Sequence, residues 1–209
     1  MAVFLNEAQA GCDQELIGFP HLLLCMGVVL QTKAWLYGYH FDAAGDTGAH
    51  AAGFATFITD MGGDVANGVH LYGCANWRKR YHGGGRQAWK TDMQKIANAL
   101  GYHGRVSGFD TSIIGPEQGT FVEYIPEFRQ ERCHIFYKRN EKMDFTDEFV
   151  TGRAIPEMAS FKLDHTGQTV LPRTGSIQHT ISADIQVTPS NKGRLHELNY
   201  FLRLVSFNV

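Results

Sequence analysis

Two amphipathic helical patterns, set among many short apolar stretches, constrain the fold of this chain most strongly. The first pattern covers residues 47–61, with Asp46 or Thr47 as candidate N-cap and Gly62 at its end. The second covers residues 87–100 and is followed by Gly101, the residue type that most often terminates a helix. Each pattern carries an apolar stripe at helical spacing, so we predict two helices that pack against a core.

The remaining apolar stretches have the length and composition of strands. They cover residues 22–32, 35–41, 69–74, 105–109, 120–124, 133–138, 161–164, 169–172, 182–187 and 198–205. The first two are close enough to form a hairpin, and Gly38 inside the second indicates a bulge or a close backbone approach.

Many strands in hairpin-like order with only two helices favour an α+β fold over a doubly wound fold. We predict a layered α/β/β sandwich with a mixed, largely antiparallel sheet and two main helices. We interpret residues 1–209 as a single domain, with a core at about 17–140 and a β-rich C-terminal extension at about 143–209.

Charge and hydropathy exclude several classes of function. The net charge of the 209 residues is −2, so no broad basic surface exists for nucleic acid. The basic run Arg78-Lys79-Arg80 is expected to be a solvated loop. No apolar stretch reaches the roughly 20 residues of a membrane span. No Sec-type signal precedes the chain's first strand, so we expect cytoplasmic synthesis, with export by a leaderless secretion system left open.

Four cysteines are present, and none belongs to a CxxC motif, so we expect free thiols. Cys25 and His40 are the candidate catalytic pair, because neighbouring antiparallel strands joined by a short turn can bring them together. An imidazole can accept the proton of a thiol and so generate the nucleophilic thiolate. The alternative is an inert core thiol beside a structural histidine, and spacing alone favours that alternative.

Other groups of residues are weaker candidates for a functional site. His21, His40 and Asp42 could bind zinc, but no HxH, HExxH or CxxC spacing supports this, and we predict no metal or cofactor. The run Gly83-Gly84-Gly85 lacks the lysine of a phosphate-binding loop, so we expect a flexible loop facing the substrate. Cys74 and Cys133 are expected to pack inside strands.

The order of the elements around the candidate pair resembles that of the CheD-type chemoreceptor glutamine deamidases. Those proteins have a cysteine on one strand, a histidine on the next, a helix, and a strand ending in Gly-Gly-Ala-Asn. The corresponding segments are Leu24-Cys25-Met26-Gly27-Val28, Gly38-Tyr39-His40-Phe41 and Gly73-Cys74-Ala75-Asn76. The resemblance covers residues 17–140, and toxins of the cytotoxic-necrotizing-factor type share the same catalytic fold.

The resemblance implies that Cys25 attacks a glutamine side chain of a partner protein while His40 acts as the base. It places Met26, Tyr39 and Asn76 as residues that line the site, and the long tail suggests a bacterial toxin or secreted effector. The CheD-type threonine six residues before the cysteine is replaced by Phe19, so a backbone carbonyl is one candidate for orienting His40. The alternatives are a non-enzymatic binding module on a degenerate deamidase fold, or another thiol hydrolase.

Overall fold

The computed structural model describes residues 3–43, 46–82, 84–114, 117 and 119–140, together with three strand segments of the C-terminal region. Its strands are β1 (Val3–Phe4), β2 (Ala10–Asp13), β3 (Ile17–Leu22), β4 (Met26–Thr32), β5 (Leu36–Phe41), β6 (Gly68–Ala75), β7 (Arg105–Asp110), β8 (Gly119–Glu127), β9 (Arg132–Asn140), β10 (Arg153–Ala154), β11 (Ala159–Leu163) and β12 (Thr169–Val170). Its helices are α1 (Thr47–Asp60), α2 (Trp77–Arg80) and α3 (Gly85–Leu100). The predicted strands at 182–187 and 198–205 lie outside the described residues.

The strands form two sheets of mixed orientation. A seven-stranded sheet has the order β12-β11-β7-β6-β4-β5-β2, and a five-stranded sheet has the order β1-β3-β8-β9-β10. The pairs β6–β7 and β1–β3 are parallel, and the other pairs are antiparallel. The predicted α+β class and the β4–β5 hairpin are therefore confirmed.

Two apolar clusters divide the protein into three layers. One cluster joins α1 and α3 to one face of the larger sheet, through residues such as Phe54, Trp89 and Val28. The other fills the space between the two sheets, through residues such as Phe19, Val29 and Val122. The order of layers is helices, larger sheet and smaller sheet, as the α/β/β prediction requires.

Both main helices begin and end where local chemistry indicates. The Asp46 carboxylate accepts a hydrogen bond from the Gly48 N–H at 2.9 Å, which satisfies a free donor at the start of α1. Gly101 follows α3 with a φ of 68°, a left-handed conformation that glycine adopts without strain. No helix among the described residues is long and apolar enough to cross a membrane.

The predicted strand at 22–32 is wrong in one important respect. Strand β3 ends at Leu22 in the smaller sheet, a bend covers residues 23–25, and β4 starts at Met26 in the larger sheet. Both strands are buried, so the apolar composition continues across the break and does not reveal it. The chain therefore crosses from one sheet to the other immediately before β4, at Cys25.

Candidate active site

Cys25 lies at the end of this crossing and is only 3% exposed. Side chains alternate between the two faces of a strand. On β4, Met26 and Val28 face the helices, whereas Val29 belongs to the cluster between the sheets. Cys25, in the bend just before β4, belongs to that same cluster. The thiol therefore lies on the inner face of the larger sheet.

His40 lies on the same inner face, on the neighbouring strand β5. It pairs with Gly27 in the register and is 1% exposed. Cys25 directly precedes Met26, whose partner in this register is Phe41, the residue after His40. The two predicted residues therefore lie at the same end of the β4–β5 hairpin, and both face the space between the sheets.

The hydrogen bonding of His40 defines which ring nitrogen is a base. Nδ1 is 2.7 Å from the Leu5 carbonyl oxygen, which can only accept, so Nδ1 carries the proton. Nε2 then has a free lone pair, and it is buried without a hydrogen-bond partner among the described residues. Burial lowers the pKa of His40, and the Leu5 carbonyl and the nearby Glu7 charge oppose this effect. The ring is a neutral imidazole with an unused acceptor.

Phe19 packs against this imidazole. The two ring centroids are 5.7 Å apart in an edge-to-face arrangement, and a Cβ on Gly27 would meet the Phe19 ring at 2.7 Å. Residue 19 thus contacts His40 through an apolar ring, and the Leu5 carbonyl orients the imidazole.

The thiol of Cys25 bonds to a different group. Its Sγ donates to Oε1 of Glu7 at 2.9 Å. Burial, the hydrogen bond to Glu7 and the charge of Glu7 together raise the pKa of Cys25 to about 12, against a lowering by Arg80. In this conformation the sulfur is a protonated thiol directed to Glu7, not to His40.

Arg80 connects the two segments that carry the pair. Its Nη1 donates to the carbonyl of Leu24 at 2.8 Å and to the carbonyl of Asp42 at 3.0 Å. Its Nη2 lies 3.7 Å from a carboxylate oxygen of Asp92, and the side chain is 9% exposed. The prediction of a solvated loop is therefore wrong for Arg80, because α2 directs its guanidinium into the protein.

A groove of about 610 Å³ opens beside this arginine. Leu24, the residue before Cys25, contributes to its wall and is 44% exposed. The other lining residues come from the start of α1, from α2 and from α3: Ala43, Thr47, Arg80, Tyr81, His82, Ala88, Thr91 and Asp92. The groove therefore exposes the Leu24 side of the crossing loop to solvent.

The predicted lining residues do not all share the face of the catalytic pair. Met26 and Tyr39 pack toward the helix layer, because each is one residue from a side chain that points inward. Asn76 directly follows β6, whose last residue, Ala75, pairs with Met26 on β4. Its Oδ1 accepts from the Lys79 N–H at 3.0 Å and caps α2.

The other candidates have structural roles. Cys74 is fully buried, and the Cys133 Sγ is 3.4 Å from Oε1 of Gln31, so both thiols pack as predicted. All four cysteines are free. Gly84 and Gly85 belong to the start of α3. Among the described residues, no group of three or more His, Cys, Asp or Glu side chains could hold a metal ion.

Sequence reasoning missed Leu5, Glu7 and the role of Arg80. Leu5 orients His40 through its backbone carbonyl, a group that every residue has, so the residue type gives no signal. Glu7 is separated from Cys25 by 18 positions, in a segment with no motif. No protein-family model matches the chain, and no curated protein matches it.

Proposed function

We propose that this protein is a thiol-dependent amidohydrolase that deamidates a glutamine side chain of a partner protein. Cys25 is the nucleophile and His40 the general base. The observation that carries the proposal is the state of His40, a neutral imidazole anchored at Nδ1, whose buried Nε2 has no partner among the described residues. A buried acceptor without a partner is costly, and this state supports a role in which Nε2 takes up a proton during the reaction.

The reaction requires one local change. The Cys25 thiol turns from Glu7 to His40, and Nε2 takes its proton. The thiolate attacks the glutamine Cδ, and the imidazolium returns the proton to the departing ammonia. Water then hydrolyses the thioester, with Nε2 again accepting a proton, and leaves glutamate and the free thiol.

Glutamine as the substrate is supported by the order of elements shared with CheD-type deamidases. A role as a bacterial effector belongs to the same proposal. The groove beside Leu24 suits a protein substrate better than a free amino acid, because it is open and lined by both apolar and charged side chains.

The test is glutamine-to-glutamate conversion in the proteins of a cell extract, scored by peptide mass spectrometry. We expect sites that gain about 1 Da with the wild-type protein and lose this gain with Cys25→Ser or His40→Ala. Cys12→Ser is the matched control, since Cys12 is a half-buried thiol on β2 away from the pair. Conversion that persists in Cys25→Ser, or no conversion by any folded variant, would exclude the proposal.

One observation favours a second candidate, a non-enzymatic protein-binding module. The Cys25 thiol is tied to Glu7 and its pKa is raised to about 12, which opposes thiolate formation. In that case the extract experiment gives no conversion, and the groove beside Leu24 is the binding surface.

A further inference from the structure

The N-terminal segment forms a turn over the catalytic pair. The Gln9 N–H donates to the Asn6 carbonyl at 3.0 Å, which closes a four-residue turn with Glu7 and Ala8 at its tip. The Asn6 N–H donates to Oε1 of the Gln9 side chain at 2.9 Å. All four residues are exposed, so the turn forms the outer surface of the site.

The turn is fastened to His40 by backbone hydrogen bonds. The Ala8 N–H donates to the His40 carbonyl at 2.8 Å, and the His40 N–H donates to the Gln9 carbonyl at 3.0 Å. Ala8 has a φ of 61°, a left-handed conformation that is unfavourable for a residue with a Cβ. The turn keeps this conformation because the His40 strand holds it on both sides of Ala8.

Glu7 is the residue that this turn directs into the site. Its carboxylate oxygen lies 2.9 Å from the Cys25 sulfur, and its charge also acts on His40 and His21. Its Cδ is bonded to that oxygen, so a small shift brings Cδ to the roughly 3–3.5 Å at which a nucleophile attacks. A glutamate side chain therefore reaches the nucleophile from outside, as the product of glutamine deamidation would.

We infer that the turn Asn6–Gln9 occupies the substrate subsite, with Glu7 as a built-in analogue of the product, and that the site accepts glutamine at the tip of an exposed turn. This inference rests on the proposed function. It also explains why Glu7 is exposed while Cys25 is not. A partner's glutamine must displace the turn before it reaches the sulfur, so the turn is also an inhibitor of the resting protein.

The inference predicts that Glu7→Gln makes the protein its own substrate. Nε2 of His40 takes the Cys25 proton, and the thiolate forms a bond to Cδ of the introduced glutamine. The bond from Cδ to nitrogen breaks, and ammonia leaves with the proton from His40. Water then attacks the thioester, the bond from sulfur to Cδ breaks, and the thiol is restored. The net change is glutamine and water to glutamate and ammonia.

The experiment is to purify the Glu7→Gln protein and sequence its N-terminal peptide by mass spectrometry. We expect residue 7 to be read as glutamate, with a gain of about 1 Da, and Gln9 to stay unchanged as an internal control. Gln9 bonds to Asn6 within the turn and does not face the sulfur. The double variants Glu7→Gln/Cys25→Ser and Glu7→Gln/His40→Ala should retain glutamine at position 7.

A parallel measurement separates this inference from the proposed function. Glu7→Ala should raise the rate at which iodoacetamide labels Cys25, because the hydrogen bond and charge that hold the proton on sulfur are removed and the thiol is free to turn to His40. Adding His40→Ala should reverse the gain, and Glu15→Ala should leave the rate unchanged. An unconverted glutamine at position 7 of a folded variant, with fast His40-dependent labelling of Glu7→Ala, overturns the inference and leaves the nucleophile in place. An unconverted glutamine without such labelling overturns both.

A second assay covers the case in which Glu7→Gln does not fold by circular dichroism. A peptide with the sequence of residues 3–13 and glutamine at position 7 is then offered to the Glu7→Ala protein. Conversion of that glutamine supports the inference, and an unchanged peptide contradicts it.

Discussion

At the scale of single residues, Arg80 links the loop before β4 to the end of β5. One guanidinium nitrogen holds the carbonyls of Leu24 and Asp42, one residue from Cys25 and two from His40. Because both bonds go to backbone atoms, the arginine sets where the two segments lie, whatever their side chains. Arg80 is therefore a positioning residue for the segments that carry Cys25 and His40.

Replacing Arg80 with alanine should lower the free energy of unfolding by about 2–3 kcal/mol, since two charge-assisted hydrogen bonds to backbone carbonyls are lost. It should also slow His40-dependent labelling of Cys25 in the Glu7→Ala background. Arg78→Ala is the control, because Arg78 is 65% exposed and such surface changes cost within about 0.5 kcal/mol. Equal effects of the two variants in urea unfolding would contradict the role given to Arg80.

Glu123 on β8 is a buried carboxyl group. It is 1% exposed, and neither carboxylate oxygen has a hydrogen-bond partner among the described residues. Burial raises the pKa of Glu123 to about 7. The folded protein therefore holds this proton more tightly than the unfolded chain does, and stability falls as pH rises through the interval between the two pKa values.

Wild type should thus lose stability relative to Glu123→Gln between about pH 4.5 and pH 7, by about 3 kcal/mol in total, and the relative loss should level off above pH 7. Urea unfolding of both proteins at pH 4.5, 6 and 8 measures the difference, from which other titrating groups cancel. A constant difference across this range would show that Glu123 does not titrate in it.

At the scale of elements, a glycine in the β4–β5 hairpin lets the two sheets approach closely beside His40. Gly27 stands opposite His40, and the Phe19 ring of the smaller sheet fills the space where a Cβ would be. The Tyr124 hydroxyl also donates to the Gly27 carbonyl at 3.0 Å. Close approach of the two sheets at this position is what sets the Phe19 ring edge-on to the imidazole.

Gly27→Ala should therefore destabilise the protein by about 1–3 kcal/mol and disturb His40, because a methyl group overlaps the buried Phe19 ring. Gly53→Ala is the matched control in α1. A Cβ there meets nothing within 4 Å, so the change should stabilise the helix by about 0.5–1 kcal/mol. Thermal unfolding of both variants measures these opposite signs, and a neutral Gly27→Ala would rule out the tight contact.

At the scale of the whole molecule, a polar network joins the two sheets at the far end of β4. The Tyr72 hydroxyl donates to Oε1 of Gln31 at 3.2 Å and accepts from the Cys133 N–H at 2.7 Å. The Gln31 amide donates to the Arg132 carbonyl at 3.2 Å. Since Gln31 and Tyr72 belong to the larger sheet and β9 to the smaller, this network sets how the sheets align.

Tyr72→Phe should cost about 1–3 kcal/mol, because it leaves the buried Cys133 N–H without an acceptor. The control is Tyr37→Phe, since the Tyr37 hydroxyl has no hydrogen-bond partner among the described residues and its loss should be nearly neutral. Urea unfolding at neutral pH compares the two. If Tyr72→Phe is as stable as Tyr37→Phe, the network does not hold the sheets together.

Local sequence determined most of the elements. Helix periodicity, the Asp46 cap and Gly101 predicted α1 and α3 to within two residues at each end, because these signals act through neighbouring atoms. Strand composition predicted β4–β9 and the α+β class. The same signals could not reveal the break at residues 23–25, since a strand buried in either sheet is equally apolar.

The candidate site was predicted only in part. Cys25 and His40 were proposed from their types and from the order of elements around them, and the structure has both facing the space between the sheets, Cys25 in the bend before β4 and His40 on β5. Met26 and Tyr39 were expected beside them, yet strand alternation turns both toward the helices. By itself the sequence determined the two main helices and most of the strands, and it supplied Cys25 and His40 as candidates. Only the tertiary structure decided that the Leu5 carbonyl orients His40, that Glu7 covers Cys25 and that Arg80 joins their segments, because each contact links groups distant along the chain.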